Sequence, residues 1–162
     1  MKMPTVLLAT VVSFAVQAAE KIQTIPPERL ANYWLLQSNS AAQANVPNSG
    51  YNLDAPTCAA VSYVVEKDGT TSHVKLEKLV PQGDLGKVAV NIVGAIRFAP
   101  APGNLGKDAV FTYVVMPFNV PGAQSGNPAD RAQRAQVLDA CKLPEFGAKP
   151  KVESGQAGSR PA

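Results

Sequence analysis

The residues of this 162-residue chain that could do chemistry are two cysteines, Cys58 and Cys141, one histidine, His73, and scattered carboxylates. A hydrolytic centre needs a nucleophile, a base and an orienting acid held together, and neither a Gly-x-Ser-x-Gly elbow nor a paired Cys and His is present. One histidine and two isolated cysteines also make no metal-ligand cluster at usable spacing. The glycine-rich turns Pro102 to Gly106 and Pro121 to Gly126 lack the Gly-Lys-Ser/Thr ending of a phosphate loop, so Gly106-Lys107 reads as a turn. Glu66, Asp68 and Asp84 fall at turns or helix starts, where solvation and capping explain them without paired acid and base chemistry. The expectation is a protein that is not an enzyme, holds no cofactor and binds no metal.

The two cysteines take their meaning from the compartment. Lys2 precedes an apolar run from Val6 to Val16, and small residues follow at Ala15, Ala18 and Ala19, which is the pattern of a secretory signal peptide over 1–18. The run is shorter than the roughly 20 residues that span a bilayer, so the mature chain is expected to start near Ala19 in the periplasm, with no membrane span. In that oxidising setting an even cysteine count favours a Cys58–Cys141 disulfide. Closing so long a loop is worth about 4 kcal/mol by the chain-entropy estimate.

Composition fits a globular domain with a packed core, at 46% hydrophobic and 17% charged residues. The formal charge of +3, one less without Lys2, is too small to select nucleic acid or an anionic membrane as partner. Lys75, Lys78, Lys87, Arg97 and Lys107 alternate with acidic residues and form no run.

The elements that must position these residues follow from pattern. Ile25 to Gln37 reads as a short helix, with Pro26 and Pro27 in its first turn and Leu30, Tyr33 and Trp34 on one face. With the Asn/Ser/Pro/Gly-rich stretch Ser38 to Pro56 it makes an N-terminal helix and linker over 19–57. From Cys58 the period changes to two, ends at Asp68-Gly69, and resumes from Thr71 to Val80, predicting a β-hairpin with His73 on a solvent-facing side shared with Lys75 and Glu77. Asp84 can cap a helix whose stripe is Leu85, Val88, Ala89, Ile92, Val93 and Ile96. Phe98 to Gly106 reads as a turn-rich connection, and Val110 to Met116 as a strand ending before Pro117. Asn127 and Pro128 open a tail helix within 121–146 that aims Cys141 at the body, and 147–162 is expected to be mobile. The fold class is therefore α+β, a small antiparallel sheet in the order strand, strand, helix, strand, with one helix packed across it.

The run Val61-Ser62-Tyr63-Val64-Val65, Asp68-Gly69, a helix leading into Arg97-Phe98-Ala99-Pro100-Ala101, Gly106-Lys107 and Val115-Met116-Pro117-Phe118 resembles the carboxy-terminal domain family of TonB. The resemblance covers Cys58 to Phe118, within a domain read over 58–120. It implies a periplasmic binding module associated with outer-membrane transport, with a protein or peptide partner such as a transporter segment. A structural envelope protein that self-associates, as a homodimer, or stabilises another complex without contacting transporters is the alternative. The chain departs from transducing members of that family, which keep an amino-terminal membrane helix and a long Pro-rich arm; this chain is expected to have neither.

The same resemblance, with the strand's composition, points to the candidate site. The edge formed by Val110, Phe111, Thr112, Tyr113, Val114, Val115 and Met116 is expected to receive an extended peptide through main-chain bonds, with Thr112 and Val114 as candidate outward donors.

Overall fold

The computed structural model describes residues 22–37, 49–144 and 146. The signal sequence expected over 1–18, most of the linker and the tail over 147–162 lie outside them. In chain order the elements are β1 (Gln23–Thr24), a 3-10 helix (Pro27–Asn32), β2 (Trp34–Leu36), β3 (Thr57–Val65), β4 (Thr71–Val80), α1 (Leu85–Ala95), β5 (Phe98–Pro100), β6 (Val110–Phe118) and α2 (Pro128–Asp139). They form a mixed α+β fold with a four-stranded sheet ordered β1-β6-β3-β4 and a two-stranded sheet of β2 and β5.

The hairpin read from alternation is β3 and β4, antiparallel from Val65↔Thr71 to Cys58↔Val80. Every residue of β3 is buried. The reason is its place between β4 and β6 with both of its faces covered, so alternation there sorts residues between two apolar clusters, not between core and water. Ala59, Val61, Tyr63 and Val65 join Leu79, Ala89, Val93, Phe98, Val110, Trp34 and Ile25 in the larger core beneath α1. Burial pushes the Tyr63 hydroxyl pKa up to about 12. Cys58 and Ala60 point the other way, into a smaller cluster with Tyr113 and Cys141, against which Val137, Ala140, Leu143 and Phe146 pack.

α1 carries the expected apolar stripe, burying Leu85, Val88, Ala89 and Val93. It stops at Ala95 and not at Arg97, because Ile96 turns to extended backbone ahead of β5. Asp84 stands at its N-cap without a side-chain cap bond; its carboxylate instead accepts from the Tyr51 N–H at 2.9 Å, which holds its pKa below the ordinary value, with Lys87 assisting. At α2 the expected cap is present, since the Asn127 side chain accepts from the Ala129 N–H at 3.0 Å ahead of Pro128.

Two expectations need correction. The helix expected over Ile25–Gln37 is only a 3-10 helix, with Arg29 N–H bonded to the Pro26 carbonyl and Tyr33 N–H to that of Leu30, and the chain then extends as β2. The competing force is β5: Trp34 pairs with Pro100, Leu35 with Ala99 and Leu36 with Phe98, so long-range ladder bonds outweigh a short helix that begins with two prolines. The stretch Phe98–Gly106 is accordingly not only turns. Its first three residues are β5, and Ala101 N–H and Asn104 Nδ2 then bond the Tyr33 carbonyl at 2.9 and 3.0 Å.

Among the described residues, one buried side-chain atom is left over. Thr112 is wholly buried, opposite Tyr63, and its hydroxyl has no hydrogen-bond partner. Thr112→Val keeps the shape and removes the orphaned group, so it should stabilise the fold by about 1 kcal/mol. A rise in the urea midpoint at unchanged slope is the result expected; a fall would show that the hydroxyl has a partner in solution.

Candidate functional site

Beyond the two residues of β1, the sheet exposes two strand sides with different surfaces, those of β4 and β6. β4 is charged at Lys75, Glu77 and Lys78 and is interrupted by register shifts between Ala60 and Val61 and between Ser62 and Val64. Within the second shift His73 is exposed and takes a φ of 50°, a left-handed conformation uncommon outside glycine. Glu77 accepts from the Ser62 hydroxyl at 2.7 Å and from Lys75 Nζ at 3.0 Å, and these two partners, Ser62 first, hold its carboxyl below its ordinary pKa. Bulges and charges are the usual means by which an outer strand is kept from pairing with another chain.

β6 has neither device. It pairs with β3 from Val65↔Val110 to Thr57↔Phe118 without a register shift, and none of its nine residues is charged. Along its outer side β1 pairs with it at one end only, and the 3-10 helix that follows lies close to it. β1 runs parallel to it with Gln23 opposite Val110 and Thr24 opposite Phe111, and Ile25 N–H donates to the Phe111 carbonyl at 2.9 Å. The next residues are Pro26 and Pro27, which have no N–H to donate, so β1 cannot extend.

This pairing corrects both the extent and the parity of the expected edge. Val110 and Phe111 are already covered by β1. Because Phe111 directs its carbonyl outward and the strand is unbroken, the outward positions are Tyr113, Val115 and Pro117, while Thr112 and Val114 face β3. Among the described residues, the main-chain groups of Tyr113 and Val115 have no partner on the outer side. Pro117, which lacks an N–H, falls where no ladder donor is required. Met116 is half-buried and packs with Val114 and Phe118 against the larger core.

The side chains along this edge divide between two environments. Tyr113 and Val115 lie on the α2 side, where Phe146 sits 4.6 Å from the Tyr113 ring and 5.1 Å from that of Phe111, centroid to centroid. Val114 and Met116 lie on the α1 side.

Polar clusters elsewhere have local explanations. An open cleft of about 680 Å³ lies where β1 enters, lined by Ile22, Gln23, Glu66, Lys67, Asp68, Asp108 and Ala109. Asp68 accepts from the Thr70 hydroxyl at 2.6 Å and the Thr70 N–H at 2.9 Å, which holds its carboxyl below the ordinary range and serves the β3–β4 turn. Ser72 donates to Glu66 and also touches His73 Nδ1 at 2.9 Å. Here the serine bridges the carboxylate and the imidazole, whereas a nucleophilic serine needs the imidazole between itself and the acid. No group of three or more His, Cys, Asp or Glu suited to a metal occurs among the described residues, and no helix there is long and apolar enough to cross a membrane.

Cys58 and Cys141 are bonded to each other across 83 residues, both buried, joining the start of β3 to the chain just after α2. Comparison of the chain with protein-family models, with curated proteins and with solved structures finds no match in any of the three.

Proposed function

We propose that the protein is an exported, TonB-like binding module of the Gram-negative periplasm, associated with outer-membrane transport, that takes up an extended segment of a peptide or transporter by strand addition on β6. One observation carries the reading: a neutral, unbulged strand whose outward N–H and C=O groups at Tyr113 and Val115 are unpaired next to a strand of this same chain already added there. An incoming segment would continue the row that β1 begins. The reading is one of binding and not of turnover.

The test uses the parity of the strand. Val115→Pro removes an outward donor without touching the β3 ladder, whereas Val115→Ala keeps it. Isothermal titration against extended segments from outer-membrane transporters should show binding to the native protein and to Val115→Ala, and a loss of at least tenfold for Val115→Pro, since each unmade main-chain bond leaves its partner unsatisfied at about 1–3 kcal/mol. Equal affinity for both variants, at equal melting temperature, would overturn the proposal. A second reading, self-association, is favoured by the fact that two copies of Tyr113 and Val115 can satisfy each other about a twofold axis. Sedentary monomer behaviour at high concentration in sedimentation equilibrium counts against it.

A further inference from the structure

We infer that the segment from α2 to Phe146 is a flap held by a single covalent latch, and that reduction of Cys58–Cys141 releases it from the sheet without unfolding the rest of the domain. For its effect on binding this rests on the reading of β6 given above; the release itself does not.

The apolar contacts make the case. The larger core lies wholly on the α1 side of the sheet and contains neither cysteine nor any residue beyond β6. α2 has no buried residue, and the flap meets the sheet through the half-buried Val137, Ala140, Leu143 and Phe146 around the disulfide. Among the described residues, its one hydrogen bond to the sheet is Leu143 N–H to the Tyr113 hydroxyl, at 3.4 Å. Others stay within the loop and helix: Arg134 to the Pro121 carbonyl, Arg131 to those of Ser125 and Gly126. Four half-buried apolar residues are a weak hold for a segment that must also be ordered, because each ordered residue costs about 1–2 kcal/mol of backbone entropy. A helix of 12 residues is itself marginal once detached.

Both sulfurs are buried, yet Leu143 and Phe146 lie beyond the bond in the chain and can peel away while it is intact. A dithiol can then exchange with it. One thiolate attacks a sulfur to give a mixed disulfide, the second thiol displaces the other, and Cys58 and Cys141 each leave as a thiol while the dithiol becomes a disulfide. Two electrons pass from the dithiol to the protein. The freed flap uncovers Tyr113 and Val115 on one side of the β6 edge, where side chains of an incoming strand would lie.

Limited trypsin digestion of the full mature chain, with and without prior incubation with dithiothreitol, tests the release. Cleavage after Arg131, Arg134 and Lys142 should accelerate about tenfold or more on reduction, while Lys75, Lys78 and Lys87 in the sheet and α1 stay uncut. The Cys58→Ser, Cys141→Ser double variant should digest like the reduced protein. Amide hydrogen exchange on the reduced native chain supplies the same readout if that variant does not fold. Flap sites that remain resistant after reduction overturn the inference, and so does simultaneous opening of flap and core. If release occurs and transporter segments bind both redox forms equally, it is the consequence for the edge that fails; loss of the Val115→Pro effect would instead remove the edge itself.

Discussion

Replacing Gly69 with alanine should cost about 2–5 kcal/mol, from the 1–2 kcal/mol of forcing a side chain into left-handed backbone and a further 1–3 for overlap in a packed place. Gly69 has a φ of 82°, and a Cβ there would stand 2.0 Å from the Phe98 carbonyl oxygen. That oxygen cannot easily withdraw, because the Phe98 N–H donates to the Gly69 carbonyl at 2.8 Å and the Gly69 N–H to that of Glu66 at 2.8 Å. The turn between β3 and β4 is thus clamped onto β5. The loss is a large share of the roughly 5–15 kcal/mol that holds a domain together. Chemical denaturation measures it, with Gly94→Ala as the control. Gly94 is an exposed helical glycine with nothing within 4 Å of a new Cβ, so the same chemical change there should stabilise by about 0.5–1 kcal/mol. Equal effects at the two sites would show that the turn moves freely.

Trp34→Ala should cost a comparable 3–5 kcal/mol, the usual range for removing a large buried aromatic side chain. Trp34 is 1% exposed, lies among the residues of the larger core, and donates from Nε1 to the Asp108 carbonyl at 3.0 Å. It therefore ties β2 both to the core and to the approach to β6. Trp34→Phe separates the two contributions, because it keeps an aromatic ring but strands the Asp108 carbonyl; its cost should be nearer 1–3 kcal/mol. A melting temperature for Trp34→Ala within a degree or two of the native protein would remove the claim. Because β5 lies between Gly69 and Trp34, pairing with Trp34 at Pro100 and bonding Gly69 at Phe98, the two losses should not add, and a double-mutant cycle should show coupling of about 0.5 kcal/mol or more.

Much of the fold could be read from local chemistry. Asp68-Gly69 between two alternating runs marks the hairpin, the stripe from Leu85 to Val93 marks α1, and Asn127-Pro128 marks the start of α2. Each is a preference of backbone or side chain that acts within a few residues, so it is present in the sequence wherever the rest of the chain goes. The cysteine pairing was legible for a different reason, since with two cysteines each has one partner to choose from.

What sequence did not decide is which segments meet across the chain. β1 is two residues long, below any period, and Leu35 and Ala99 belong to strands that find each other through main-chain bonds for which side chains carry no signature. The candidate edge was recognisable as a β-branched, uncharged strand, but its usable length depends on where β1 docks and its outward positions on the register with β3. Pairing with β3, Thr112 opposite Tyr63 and Val114 opposite Val61, turns Thr112 and Val114 inward and Tyr113 and Val115 outward, and a shift of one residue would reverse them. Likewise Asp68-Gly69 announces a turn, but only the approach of β5 makes the glycine irreplaceable. Local propensity set the elements of this protein; the competition among long-range backbone pairings, settled by burial of the shared core, set their neighbours and left part of the β6 edge unpaired.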